Sequence, residues 1–320
     1  MSPALNRPGT LDLLLLSLLA VIGGRRFARQ AHRHALRIYP EQAKRRTRLL
    51  LRSLLLSRSS REWFGRLDED ALLRRWVRFH PELAEKPHRP YQQRGRSAAD
   101  RVSLLEAHYR NCEAAGWDSI VEALCSGPLL LASFADRDDK ALELQLDRPG
   151  QFGKEGEFVL NLIEGGERLY SAAFSFRGEG KTRELFIGCL QGPACEKGRE
   201  RVRSLTRACH GMRPRSLILE TMQWLAEQSG CTRLAATGTS GHIYQCLRKR
   251  RAIAFDYDAC WREFGGEQRA GGDWLLPLHP EHKPLESVAS RKRAEAARRN
   301  ALREAITEQA RTHLTHPRAA

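Results

Sequence analysis

The sequence has no CxxC pair, no apolar run of bilayer length and no internal repeat. Its eight cysteines (Cys112, Cys125, Cys189, Cys195, Cys209, Cys231, Cys246 and Cys260) are scattered. That spacing excludes a zinc ribbon and reads as buried thiols in a reducing compartment, not as a disulfide framework. The longest apolar stretch, Leu11–Ile22, has 12 residues, whereas a spanning helix needs about 20. It makes a poor secretion signal as well. Only Arg7 precedes it, Asp12 interrupts it, and Gly23-Gly24-Arg25-Arg26 offers no small-x-small cleavage site. The stretch therefore reads as a helix packed on the main domain, with a helix lying in a membrane interface as the alternative. Cytoplasmic placement is expected, with peripheral contact to the inner membrane face as its extension.

Charge is abundant and uneven. The 320 residues carry 54 Lys+Arg against 38 Asp+Glu, a net charge of +16. Residues 1–100 hold +12, residues 101–280 are neutral and residues 281–320 hold +4. Basicity confined to the ends excludes a uniformly basic polyelectrolyte. Between Arg25 and Arg66 there are 13 basic and 2 acidic residues. At about 1 kcal/mol per cation near an anionic membrane, residues 25–66 suffice for docking on lipid without insertion. RNA is the weaker alternative, because stacking groups are sparse there (Phe27, Tyr39, Trp63, Phe64).

Hydrophobic patterning divides the chain into a basic helical region (1–125), an α/β core (126–280) and a basic C-terminal helix with its tail (281–320). After Gly127-Pro128, short runs at Leu129–Phe134, Ala141–Leu146, Phe158–Ile163, Leu169–Phe176 and Glu184–Leu190 lie between Gly, Asp and Pro, and the last two alternate with period two (Tyr170, Ala172, Phe174, Phe176; Leu185, Ile187, Cys189). This predicts antiparallel strands. A helix is predicted from Pro214 to Ser229, with Pro at its first position and Gly230 beyond its end. A strand over Leu234–Ala236, a short helix near His242–Leu247, strands at Ile253–Phe255 and Trp274–Leu276, and a helix over Ser287–Thr312 complete the reading.

Gly180-Lys181-Thr182 ends like a phosphate-binding P-loop, but the first required glycine falls on Ser175 and a strand follows. It reads as a hairpin turn. The histidine pairs His32/His34, His279/His282 and His313/His316 lack acidic or cysteine partners at ligand spacing, so no metal is expected. Residues 197–215 are more informative. This arginine-rich loop runs through Arg207, His210, Gly211, Arg213 and Arg215 into a helix start, where free N–H groups and the helix dipole favour phosphate.

The order of strands, glycine-entered helix, strand and short tyrosine-bearing helix resembles the acyl-CoA-binding core of the GNAT (Gcn5-related N-acetyltransferase) superfamily, a mixed and mostly antiparallel sheet flanked by helices. The resemblance implies acyl-CoA as cofactor. The turn Arg207-Ala208-Cys209-His210-Gly211-Met212-Arg213 takes the pyrophosphate-binding position, with one glycine where the superfamily has two. Tyr244 takes the place of the tyrosine that protonates the departing thiolate, and Glu184 is the candidate base. Over a larger span the chain resembles the VirK/YbjX family of Gram-negative bacteria. The carrying residues are Phe79–Leu83, Pro90-Tyr91, Arg101–Tyr109, Gly180–Pro193, Leu205–Pro214, Trp261–Gly266 and Ser290–Ala294. That likeness implies association with virulence, resistance to cationic antimicrobial peptides and envelope remodelling, and no catalytic residues. A splayed pair of parallel strands is the structural mark expected of the acyltransferase reading, and a crevice filled by side chains that of binding alone.

Overall fold

The computed structural model describes residues 9–193, 196–245, 255–280, 282 and 284–317. They form two compact units, Met1–Tyr91 with Gly95–Tyr109 and Gln92–Arg94 with Arg110–Ala320.

The first unit is helical: α1 (Thr10–Ile38), α2 (Ala43–Leu55), α3 (Ser57–Glu69), α4 (Ala71–Phe79), a 3-10 segment (Pro81–His88) and the first part of α5 (Ala98–Ala114). Leu49, Leu50, Trp63, Phe64, Leu67 and Trp76 build its core. α1 is not straight. Gly24 sits at φ +86°, ψ 162°, a backbone state open chiefly to glycine. Asp12 acts electrostatically on His32, although 20 helical residues would hold them about 30 Å apart in a straight rod. The chain doubles back at Gly24. The buried Glu85 carboxylate is satisfied by the Tyr39 hydroxyl at 2.5 Å, Arg52 at 3.2 Å and Arg89 at 2.5 Å.

The second unit holds α6 (Asp118–Ser126), strands β1 (Leu129–Ala135), β2 (Ala141–Asp147), β3 (Phe158–Glu164), β4 (Glu167–Arg177) and β5 (Glu184–Gln191), then α7 (Glu196–Ala208), α8 (Pro214–Gln228) and β6 (Arg233–Ala236). α9 (Tyr257–Glu263), β7 (Glu267–Gln268), β8 (Trp274–Leu276) and α10 (Ser290–Thr315) follow. Among the described residues the eight strands make one sheet, ordered β1-β2-β3-β4-β5-β6-β8-β7. Every pairing is antiparallel except β5–β6, which is parallel. A mixed, mostly antiparallel α+β sheet is therefore present, with each of the five strands expected from those short runs in place.

β2 shows why the alternation was legible: Leu142, Leu144 and Leu146 are buried between partly exposed neighbours. α8 lies across β3 to β6, and Trp117, Phe158, Phe174 and Phe176 form an aromatic core cluster. α10 covers the free edge of β1. Gln309 Oε1 accepts from the Ser133 N–H at 3.0 Å, and His313 Nδ1 lies 3.0 Å from the Leu131 carbonyl. An edge covered in this way cannot template pairing with another chain.

Two readings change. Residues 196–208, expected within an arginine-rich loop, are helical. Their charges leave only Leu205 and Ala208 buried, too little for an apolar stripe to show in the sequence. The tyrosine-bearing helix is described only over Ile243–Gln245. Residues 246–254 lie outside the described residues, and with them most of the strand expected at Ile253–Phe255; Phe255 itself is in a bend.

Candidate functional site at the carboxyl end of the parallel strands

β5 and β6 run side by side from Glu184/Arg233 to Ile187/Ala236, and the Thr237 N–H then bonds the Ile187 carbonyl at 2.9 Å. β6 ends there. β5 continues to Gln191, paired only with β4. Among the described residues the last part of β5 is thus left without a strand on the β6 side, at the carboxyl end of the parallel pair, the place where ligands bind in open α/β sheets.

A bulge accompanies this open edge. Ala173 pairs with Cys189 and Phe174 with Ile187, so Gly188 is an extra residue in β5. A Cβ on Gly188 would stand 1.9 Å from the Glu155 carbonyl oxygen. Glycine there admits the 155–156 backbone against the strand.

Tyr257, at the start of α9, fills the crevice. Its hydroxyl accepts from the Leu190 N–H at 3.3 Å and lies 3.3 Å from the Leu190 carbonyl, with Cys189 Sγ at 3.5 Å. Asp256 caps this helix by accepting from the Ala259 N–H at 2.9 Å. The Tyr257 ring stacks on His242 at 4.9 Å between centroids.

Beneath Tyr257, the Glu155 carboxylate, Cys189 Sγ and a His242 ring nitrogen lie within 4.8 Å of one another, all buried. Burial pushes the Cys189 thiol up to about 12 and His242 down to about 4, so both are neutral at pH 7. His242 Nδ1 accepts the Tyr244 N–H at 3.3 Å, which leaves the ring proton on Nε2. A zinc-bound imidazole donates its other N–H to a partner, whereas His242 Nδ1 is taken by the Tyr244 N–H and its Nε2 has no hydrogen-bond partner among the described residues. The donor set is of metal type (N, S, O), but its imidazole is not oriented as a ligand.

A second constellation opens to solvent. Tyr170 of β4, Val202, Arg203, Thr206 and Arg207 of α7, and Arg213 and Arg215 at the start of α8 line a groove of about 540 Å³, a volume typical of small-molecule sites. Arg203 and Arg207 are four apart on α7 and so share a face. Glu263, at the end of α9, takes Arg213 at 2.7 Å and Arg215 at 2.6 Å. The Arg215 hydrogen bond and charge hold its carboxyl below the usual range. Arg203 is 3.9 Å from Glu196. Four guanidinium groups thus face one close carboxylate that is itself half exposed. α9 links the two constellations, with Tyr257 at one end and Glu263 at the other.

The structure brings together Arg207, Arg213 and Arg215 of the residues expected to bind phosphate. His210 and Gly211 do not line the groove: Arg299 of α10 donates to the His210 carbonyl at 3.2 Å and, with Glu295, covers Gly211. Tyr244 packs beside His242, with centroids 5.8 Å apart, and Lys154 Nζ lies 5.3 Å from its ring centre. Glu184 is set apart. It opens β5, about 23 Å along the strand from Gln191, and pairs with Arg269 at 2.9 Å. The base expected there stands at the wrong end of the strand and is already occupied. Arg203 belonged to the arginine-rich 197–215 segment but not to the residues expected to bind phosphate, although its spacing to Arg207 was a signal; Tyr257 and the Glu155–Cys189–His242 cluster were not found from sequence.

Comparison with known proteins adds the following. Residues 39–312 match the family model described as "Protein of unknown function (DUF535)". The "Uncharacterized protein YbjX" of Escherichia coli K12 is 32% identical over 273 residues, covering 82% of each chain. An "Uncharacterized protein" of Haemophilus influenzae is 32% identical over 199 residues, 62% of this chain and 66% of that one. A segment of 46 residues is 46% identical to the "Membrane protein LapB" of Mannheimia haemolytica, covering 14% of this chain and 20% of that one.

Proposed function

The chain belongs to the VirK/YbjX family, DUF535, and we propose that within it the second unit binds a phosphorylated acyl donor of the acyl-CoA class. The observation that carries this is the convergence of Arg203, Arg207, Arg213 and Arg215 on one groove beyond the carboxyl end of β5. Guanidinium groups bind phosphate through paired, charge-assisted hydrogen bonds. The Glu263 pairs are largely exposed at Glu263 and Arg213, and such pairs contribute only about 0–1 kcal/mol. A phosphate dianion can displace the carboxylate at little cost.

The acyl part of the reading rests on the parallel β5–β6 pair, beyond which the backbone of Leu190 would be available to an extended amide chain once Tyr257 moves. Transfer to an envelope precursor would connect this chemistry with the envelope remodelling that the family resemblance implies. Tyr257 also favours a second reading, binding of a phosphorylated ligand without transfer, because the crevice is filled as it stands.

Calorimetric titration with coenzyme A, acetyl-CoA, a long-chain acyl-CoA and acyl carrier protein separates the two. Binding of acyl donors, with release of free thiol when a cell-envelope extract is added to supply the nucleophile that takes the acyl group, supports transfer. Equal binding of all phosphorylated ligands without thiol release supports binding alone. No binding of any of them, with Arg213→Ala indistinguishable from the unmodified chain, overturns both.

A further inference from the structure

The first half of α1 is turned with its apolar side outward. Leu11, Leu14, Leu18, Val21 and Ile22 are 57%, 57%, 41%, 84% and 54% exposed. They fall at i, i+3, i+7, i+10 and i+11, one continuous stripe on a helix. Leu13, 52% exposed, flanks it. The opposite side packs inward through Leu15, Leu19 and the carboxylate of Asp12. Asp12 is held there by the Thr47 hydroxyl of α2 at 2.6 Å. The helix is therefore fixed in rotation. Turning the leucines inward would break this hydrogen bond and drive the Asp12 side out of its packing.

Cations accompany the stripe. Arg25 and Arg29 follow it on the same element, and Lys44 and Arg48 are exposed on α2, which packs on α1. Leu51 and Leu55 of α2, 44% and 73% exposed, extend the apolar surface. Lys44, Arg48, Leu51 and Leu55 lie at i, i+4, i+7 and i+11, so a single face of α2 presents both charge and hydrocarbon.

We propose that this outward face of the first unit docks on an anionic lipid bilayer, the α1 stripe lying in the interface plane while Arg25, Arg29, Lys44 and Arg48 meet headgroup phosphates. The chemistry selects this occupant over others. No helix among the described residues is long and apolar enough to cross a membrane, so the stripe lies along the surface. RNA would use the cations but leave the leucines in water. A second copy would set the same cations against each other around its apolar centre. An anionic bilayer satisfies both halves of the surface. The inference is independent of the arginine groove, and α1 precedes the family match, which covers residues 39–312.

The test is flotation of the full chain with vesicles of phosphatidylglycerol and phosphatidylcholine, and with phosphatidylcholine alone, at low and high salt. Two variants keep it specific: Leu14→Ser/Leu18→Ser/Val21→Ser and Arg25→Ala/Arg29→Ala/Arg48→Ala, each checked by circular dichroism for unchanged folding. All six positions are exposed, so both should fold. Binding to the anionic vesicles is expected, at least tenfold weaker in either variant and strongly reduced on phosphatidylcholine alone. Failure to float overturns the inference. So does binding that the serine variant leaves unchanged, whether to vesicles or to single-stranded RNA, or a dimer that the serine variant abolishes in the absence of lipid.

Discussion

The Tyr257 hydroxyl accepts from the Leu190 N–H and faces the Leu190 carbonyl, both at 3.3 Å. In this way one side chain satisfies two backbone groups that β6 abandons when it ends at Ala236. A strand left open at the carboxyl end of a parallel pair is either a ligand site or an unsatisfied backbone, and Tyr257 keeps it from being the latter.

Removing that hydroxyl leaves a buried donor and acceptor without their partner. Tyr257→Phe should therefore lower unfolding free energy by about 1–3 kcal/mol, read as a lower urea midpoint with unchanged slope. The same change should strengthen binding of an acyl-CoA, because the edge of β5 is then free to hydrogen-bond the donor's amides.

Gly188 has no such latitude. Its missing Cβ leaves room for the Glu155 carbonyl, and both neighbours are backbone. Gly188→Ala should destabilise the second unit by at least about 2 kcal/mol, measured by chemical denaturation.

The cysteines offer a chemical check. Burial raises Cys189, Cys209 and Cys231 to about 12 and Cys260 to about 11, and the thiolate is the reactive form. A maleimide applied at pH 7.5 and mapped by mass spectrometry should leave these four unmodified in the folded protein and label them in urea.

Buried histidines, His34, His88, His108 and His242 among them, set the response to acid. Burial lowers His34 to about 4, His88 to about 3 and His242 to about 4. Each folded value lies below the unfolded one of about 6.5, so the unfolded chain binds more protons under mild acid. Their contribution to stability is complete above pH 6.5 and falls as pH drops from there towards 4, by up to about 1.4 kcal/mol per pH unit for each group. Urea midpoints should decline from pH 7 to pH 5, and His88→Asn should reduce that slope.

β2 was legible as a half-buried alternating strand, whereas β3, β4 and β5 are buried along most of their length and were legible as short apolar runs between Gly, Asp and Pro; α8 was legible because Pro214 and Gly230 bracket a periodic helix. α7 was not, since it buries two residues and reads as charge. α9 is seven residues long, too short for periodicity, although Asp256 as its cap was a usable sign. Of the residues expected to bind phosphate, Arg207 at the end of α7 and Arg213 and Arg215 at the start of α8 come together with Arg203 on one groove, because the short 209–213 turn joins the two helices. Tyr257, Cys189, His242 and Glu155 are brought together only by the pairing of β5 with its neighbours, and no local pattern announces that. The 12-residue apolar run was visible, but which side faces water was not. Asp12, which breaks the run, decides it by pointing inward to Thr47.

Glu263 competes with any phosphate for Arg213 and Arg215. Glu263→Gln should tighten ligand binding by up to about 30-fold, since it removes two ion pairs, to Arg213 and to Arg215, each worth about 0–1 kcal/mol.

The most direct test of the proposed function is calorimetric titration of the full chain with acyl-CoA, repeated on Arg207→Ala/Arg215→Ala and at rising salt. The account predicts saturable binding at one site per chain, weakened at least tenfold by the double substitution and progressively by salt. Absence of binding, or binding that the double substitution leaves unchanged, would contradict it.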